Sequence, residues 1–483
     1  MWFLQTPFLV ILLLTAIILL IVLRRTCLDA IQYAFQLIRN AMYWNPIIVI
    51  YSVILFSYAI SFPLSYDEAH TFNHFTSKSL TTILATYPQP NNHVFHSLLT
   101  WISWKLFHWV HGPEIVRLPA LIASILSVQL IQHHFLKRST LYGCLLLTLF
   151  IAISNYFQFS FQARGYAIHS FLAIISFILI RQDTQAFQVR YFGFMLLCFI
   201  GLFTIPTYLF TAFALGTYWL ANDYALFFKN IFNTILITLL FALLTFLAYT
   251  PIMLHEGVAA LFSNQFVLSK GHVTILDVLK HCNTIVLSAF LPYPLAFLIP
   301  IAFIFLAIKR RHYPLLMLIV APLFMMYALN QLPIFSRIFL PISALMSVIT
   351  LHHLHSIYSM HDVKKKHLVL FLLLACFFIP LGLYHFEHTH KKDDFNTAFH
   401  LRKINRLAQE NNEVTMYQVY WHLKVPIEAQ NKISRNKKIR NRKEIPTQLP
   451  PNALLISSIV LPQFESVDTF PLHNGVAYLY RGK

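Results

Sequence analysis

Two adjacent carboxylates stand at the start of what reads as the first outer loop, in Ser65-Tyr66-Asp67-Glu68-Ala69-His70-Thr71. Acids this close to an apolar run are costly beside lipid unless they do something there. A carboxylate at a water–lipid boundary can take a proton from a hydroxyl or hold a cation. An ordinary solvated loop start can contain the same pair, so the surroundings decide. Three arginines, Arg117, Arg164 and Arg337, fall at the ends of apolar runs on the same outer side. A guanidinium fork can bond two phosphate oxygens at once. One arginine at a helix end commonly snorkels to the interface, and Arg117 has that reading open to it. Three on a face otherwise poor in cations read as an anion site. Carboxylates and guanidiniums together, beside lipid, suit transfer of a group from a lipid-linked phosphate to a hydroxyl. His70 and His74 can share a helix face with Asp67. That face is either a polar stripe or, with a divalent metal, a ligand set of Asp67, His70 and His74.

The elements that must hold these residues are membrane helices. Of 483 residues, 57% are hydrophobic and 11% charged, against roughly a quarter charged in soluble proteins. Such a chain is a polytopic membrane protein, which excludes disordered and coiled-coil readings. Five scattered cysteines with no CxxC spacing support neither a disulfide framework nor a zinc motif. Spans about 20 residues long are expected near 3–23, 46–63, 117–136, 141–158, 165–181, 191–204, 206–221, 230–250, 288–308, 314–329, 337–355 and 368–384. The run 191–221 is divided at Pro206, because proline breaks helices. The stretch 94–111, with three Trp, a Lys and several His, suits a helix lying in the interface.

Charge orients the twelve spans. With the N-terminus outside, the inner ends carry 14 basic and four acidic residues, and the outer loops before 385 carry seven and five. The dense basic clusters then face the cytoplasm, as the positive-inside rule requires. The net charge of +18 is therefore mostly a topological signal, and no nucleic-acid partner is implied. Residues 1–45 read as an extra helix with a cytoplasmic linker, and 46–384 as the membrane domain with its first outer loop at 64–116. Residues 385–483 read as a small extracytoplasmic α/β domain, with 15 basic and nine acidic residues and strand-like stretches at 453–461 and 475–480. Its basic run 431–443 reads as a solvated loop or as a surface for anionic lipid or polymer.

Several stretches resemble the GT-C superfamily of polytopic glycosyltransferases, in its bacterial Rgt-like and protein-mannosyltransferase-like (family 39-type) branch. Tyr66-Asp67-Glu68-Ala69 is similar to the first-loop acidic motif of that group. The run from Asn91-Asn92-His93 through Lys105-Leu106-Phe107 to Glu114-Ile115-Val116-Arg117-Leu118-Pro119 resembles its "NHxxxxxLL…LFG…E…RLPS" segment. Gln162-Ala163-Arg164-Gly165-Tyr166-Ala167 is similar to "xARxYAL", and Arg337-Ile338-Phe339-Leu340-Pro341 to "RYLLP". The likeness covers about residues 46–345. Two departures stand out: His108 replaces the usual glycine, and no histidine occurs in 204–208. The resemblance implies an all-α membrane enzyme that moves a monosaccharide from a polyprenyl-phosphate donor to an acceptor hydroxyl, with inversion. It implies Asp67 as base or acceptor-orienting group, with Glu68 beside it. Arg164, Arg337 and Arg117 would hold the leaving phosphate, and Asn92, His93 and Tyr166 would bind substrate. The acceptor stays open among glycan, lipid or lipopolysaccharide, and protein. No cofactor is required, and a divalent metal remains an alternative. The site would face the periplasm from a bacterial inner membrane. Two other classes compete: a flippase or transporter of lipid-linked glycans, and a glycan polymerase or ligase of another fold. A transporter should show internal repeats and midplane charges, and neither is found.

Overall fold

The computed structural model describes most of residues 2–358, apart from 43–45, 63, 88–91, most of 138–153, 259, 261–266, 269–272, 282–294, 331 and 334–335, and it describes parts of 413–481. Nearly every span expected from hydropathy has a helix. These are α1 (Trp2–Val22), α3 (Pro46–Ser61), α7 (Glu114–His134), α9 (Tyr166–Arg181), α10 (Phe187–Thr204), α11 (Tyr208–Lys229), α12 (Ile231–Glu256), α13 (Leu295–Lys309), α14 (Met317–Ala328) and α15 (Leu340–Tyr358). Most of the span expected at 141–158, and all of 368–384, lie outside the described residues; α8 (Ser154–Phe161) follows the former. Among the described residues, α7, α10 and α12 are each long and apolar enough to cross a membrane alone. The break at Pro206 is present: Ile205 is extended at φ −145°, ψ 129°, between α10 and α11.

Residues 24–45 are not a bare linker. Arg24–Ala41 forms helix α2, bent by 72° from α1. Its buried Ala30, Tyr33, Leu37 and Ala41 recur every three to four residues, so one face packs inward while the arginines stay out. The first loop carries three short helices, α4 (Tyr66–Thr71), α5 (Leu80–Ala85) and α6 (Val94–Leu106), with a π-helical turn at Phe72–Thr76. At 13 residues, α6 rises only about 20 Å, less than a bilayer core, in keeping with an interfacial helix.

A two-stranded ladder joins β1 (Val267–Leu268) to β2 (Leu332–Pro333), just before the 3₁₀ turn Ser336–Phe339 that bears Arg337. Beyond it, the tail folds as a five-stranded mixed sheet. The strands are β3 (Glu413–Tyr417), β4 (Ile439–Arg442), β5 (Ala453–Ser457), β6 (Ser466–Leu472) and β7 (Gly475–Arg481), in spatial order β4-β3-β5-β7-β6. Strand β3 pairs in parallel with β4 and β5, and β7 pairs antiparallel with β5 and β6. The basic run 431–443 is therefore partly built structure and not only a solvated loop: it supplies β4 and the buried Ile433.

Candidate active site

The two adjacent acids point to different places. Ser65 caps α4 and accepts from the Glu68 N–H, while the Glu68 side chain accepts from the Ser65 N–H at 2.8 Å. This reciprocal capping box fixes Glu68 at the third helical position. From there its carboxylate takes both forks of Arg117, Nε and Nη2, at 2.8 Å each, and the Ala163 N–H at 2.6 Å. Arg117 spends its other terminal nitrogen on the Ala59 and Phe62 carbonyls, at 2.7 and 2.6 Å. Those oxygens lie at the end of α3, where carbonyls have no helical partner. Both side chains are fully buried. Arg117 is thus neither snorkelling nor open to a ligand, and Glu68 presents no free face to an acceptor. Together they tie α3, α4, α7 and residue 163 into one unit.

Asp67 turns the other way and keeps 20% of its side chain exposed. Its Oδ2 lies 3.2 Å from Arg337 Nη1 and 3.4 Å from Arg164 Nη2. Arg164 Nη1 also reaches the Asp67 carbonyl at 3.4 Å. Residues 67, 164 and 337, far apart in sequence, meet in one charged cluster. Burial alone pushes the Asp67 carboxyl up, but Arg164 and then Arg337 outweigh it and hold it below its ordinary value. Glu68 is likewise held down, by Arg117 against its own burial.

Tyr166 stands against both guanidiniums, 5.9 Å from Arg164 and 5.7 Å from Arg337, measured to its ring centre. His93 packs edge-on to Tyr166 at 5.2 Å and accepts the Gly165 N–H on Nδ1 at 2.8 Å. Accepting on Nδ1 leaves the proton of the neutral ring on Nε2. That nitrogen is buried without a hydrogen-bond partner. Burial, then Arg164, pushes the His93 pKa well below its ordinary value, so the ring is neutral. The site therefore holds two guanidiniums and one spare N–H donor around an exposed carboxylate edge. Asn92 plays a different part: its amide N–H₂ ties the Ile83 and Thr86 carbonyls at 2.9 and 2.8 Å, so it shapes the loop and is fully buried.

The metal alternative finds no ligand set. Among the described residues, no three His, Cys, Asp or Glu side chains converge to hold an ion. His70 stacks on His74 at 4.3 Å. Burial, then His74, drives the His70 pKa down to about 4. Three participants escape a reading of spacing alone. Ser65 was legible in principle, since Ser-x-x-Glu is a capping-box signature. His96, buried with an unpartnered Nε2, and Gly165 carry no local signal. A Cβ on Gly165 would come within 2.5 Å of Thr204 Cγ2 and 3.1 Å of His93 Nδ1.

An apolar crevice of about 470 Å³ lies between the helices. It is lined by Phe95, Leu99 and Ile102 of α6, Ile122 of α7, Ile168 and Leu172 of α9, and residues of α2. Helix α9 meets the charged cluster through Tyr166 and the crevice through Ile168 and Leu172.

No family model matches the sequence, and no curated protein matches it either. Solved structures do. The ArnT structure from Cupriavidus metallidurans in the apo state aligns over 90% of this chain and 97% of its own, at 12% identity and a TM-score of 0.51. The same protein bound to undecaprenyl phosphate gives 0.48 at the same identity and coverage. The cryo-EM structure of the arabinosyltransferase EmbB from Mycobacterium smegmatis gives 0.43, over 81% of this chain and 40% of its own. The likeness to apo ArnT is one of fold. The chain is a mostly helical, multi-pass membrane protein that shares the fold of the apo ArnT structure.

Proposed function

We propose that this chain is an inverting glycosyltransferase that moves a monosaccharide from a polyprenyl-phosphate donor to an acceptor hydroxyl, on the periplasmic face of a bacterial inner membrane. The observation that carries the reading is the contact of one half-open carboxylate, Asp67, with Arg164 and Arg337. The helix that Tyr166 begins beside the arginines also lines an apolar crevice, through Ile168 and Leu172, that offers a wall to a long isoprenoid chain.

Without donor, Asp67 offsets one of the two guanidinium charges, leaving the cluster at +1, and is too weakly basic to take a proton. When the donor phosphate reaches Arg164 and Arg337, it competes for their N–H groups. Asp67 is then released toward the acceptor and becomes more basic. The acceptor O–H gives its proton to the Asp67 carboxylate as its oxygen bonds to the anomeric carbon. The bond from that carbon to the phosphate oxygen breaks on the opposite face, and its electron pair leaves with the phosphate. Arg164 and Arg337 meet the charge that develops there, where positioned cations contribute most. The neutral His93 offers Nε2–H to a phosphate or sugar oxygen. Tyr166 keeps the two guanidiniums apart and oriented. Glu68 and Arg117 act indirectly, by fixing α4. In this reading the site binds the donor first.

Mass spectrometry of envelope glycolipids tests the reading. A strain lacking the protein should lose one sugar-bearing species, wild-type protein should restore it, and Asp67→Asn should not. Restoration by Asp67→Asn would overturn the base assignment. An unchanged glycolipid profile in the deletion strain would remove lipid acceptors from consideration.

A further inference from the structure

The tail touches the back of the charged cluster. Residues 425–426, 428–429 and 432–433 are helical, and Val425, Ala429 and Ile433, spaced by four, fall on one face. Ala429 and Ile433 are 0% and 2% exposed. They are buried in an apolar cluster with Leu64, Ala69, Phe72, Ile115, Val116 and Ala163. Three of these partners are chain neighbours of the charged residues: Ala69 follows Glu68, Val116 precedes Arg117 and Ala163 precedes Arg164. The cluster is thus the apolar underside of the candidate site, and the tail completes it. One polar bond locks the same contact. Asn73, in the π-helical turn directly after α4, donates its side-chain N–H to the Val425 carbonyl at 3.0 Å across 352 residues of sequence.

We propose that Val425, Ala429 and Ile433 are a positioning element of the candidate active site: by docking on Asn73 and packing into the apolar cluster beside α4, they hold Asp67 in register with Arg164 and Arg337. The catalytic meaning of this clamp rests on the function proposed above; its physical existence does not. A six-residue helix has little stability of its own. At α4 the capping box and the Arg117 pair fix the first turn, and the tail fixes the last turn and the π-turn beyond it. The π-turn itself departs from regular i→i+4 bonding, as such turns do where a side chain must be aimed. A misplacement of about 1 Å at a reacting group can cost about 100-fold in rate. A segment that sets α4 therefore acts on turnover more than on donor binding.

The charged and titratable groups facing Asp67 are Arg164, Arg337 and its own-helix neighbour His70. On the far side of the turn, His74 is flanked by Lys78, Lys432 and Glu428. Loosening the clamp should let Asp67 drift from the arginines that hold its carboxyl down. The acid limb of the pH–rate profile should then move to higher pH.

The test uses the full-length protein in nanodiscs, as wild type, Asn73→Ala and Ile433→Ala. Hydrogen exchange of amides 66–76 should quicken by about tenfold in either variant. Turnover should fall about tenfold or more, the donor KM should stay within about twofold, and the acid limb should rise. Unchanged exchange at 66–76 would overturn the clamp. Faster exchange with unchanged turnover and acid limb would make the segment a purely structural prop and overturn its positioning role. A wild-type protein that transfers no sugar would sink the proposed function by itself, while exchange would still decide whether the clamp exists.

Discussion

Asp67 and Glu68 are neighbours in sequence with opposite fates. Glu68 is sealed with Arg117 at 0% exposure, whereas Asp67 keeps an open edge. Substitutions should separate them. Arg117→Ala leaves Glu68 as a buried, unpaired charge and should destabilise the fold by about 3–5 kcal/mol, read as a fall in thermal unfolding temperature. Asp67→Asn should leave that temperature close to wild type and lower turnover by about 100- to 10,000-fold, the range a lost general base produces. A large stability loss in Asp67→Asn, or none in Arg117→Ala, would reverse the assignment. His70 adds a pH signature. Its folded pKa of about 4 lies below its ordinary 6.5, so the folded chain refuses a proton that the unfolded chain accepts. Its neutral ring is without penalty above pH 6.5, and stability is lost as pH falls from there toward 4. His70→Gln should flatten this part of the curve of unfolding temperature against pH, and an identical slope would contradict it.

At the scale of elements, most helices were legible because lipid demands long apolar runs and Pro206 marks a break. The shortness of α6, 13 residues, agrees with its exclusion from the expected spans. The short helix α4 was legible only in its local part, the Ser-x-x-Glu cap. It depends on a cap, a buried ion pair and a tail that arrives more than 350 residues later, and no local pattern encodes such a meeting. Three of the tail strands escaped for a related reason. Strand β4, Ile-Arg-Asn-Arg, lies in a basic run whose charges mask its pairing with β3. The role of Arg117 was misleading for a physical reason: an arginine at the start of an outer helix looks the same in sequence whether it faces phosphate or caps the preceding helix. The packing of the start of α9 against the end of α10 gives a further prediction. Gly165→Ala would force its Cβ against Thr204 and His93 and should cost about 1–3 kcal/mol, the usual penalty of overpacking. It should also lower donor affinity by displacing His93. An unchanged unfolding temperature and KM would contradict the close fit.

Over the whole molecule, the bond between Asn73 and Val425 places the first loop and the tail on one side of the membrane. Exposed Lys78 and Lys432, each replaced by Cys, should react alike with a membrane-impermeant thiol reagent applied to intact cells; reaction of only one would contradict the shared side. In the proposed function, the apolar crevice takes the lipid chain of the donor. Ile122→Trp, which narrows the crevice at a half-exposed position, should raise KM for long-chain donors and leave short-chain donors little changed. The central claim is that Asp67 and the two arginines transfer a sugar from a lipid phosphate. Its most direct test incubates the purified protein with a synthetic polyprenyl-phosphate sugar and envelope extract, and follows release of free polyprenyl phosphate together with labelled product. Wild type should release both in step, and Asp67→Asn, equally well folded, should release neither above background. Undiminished coupled release by Asp67→Asn would contradict the account.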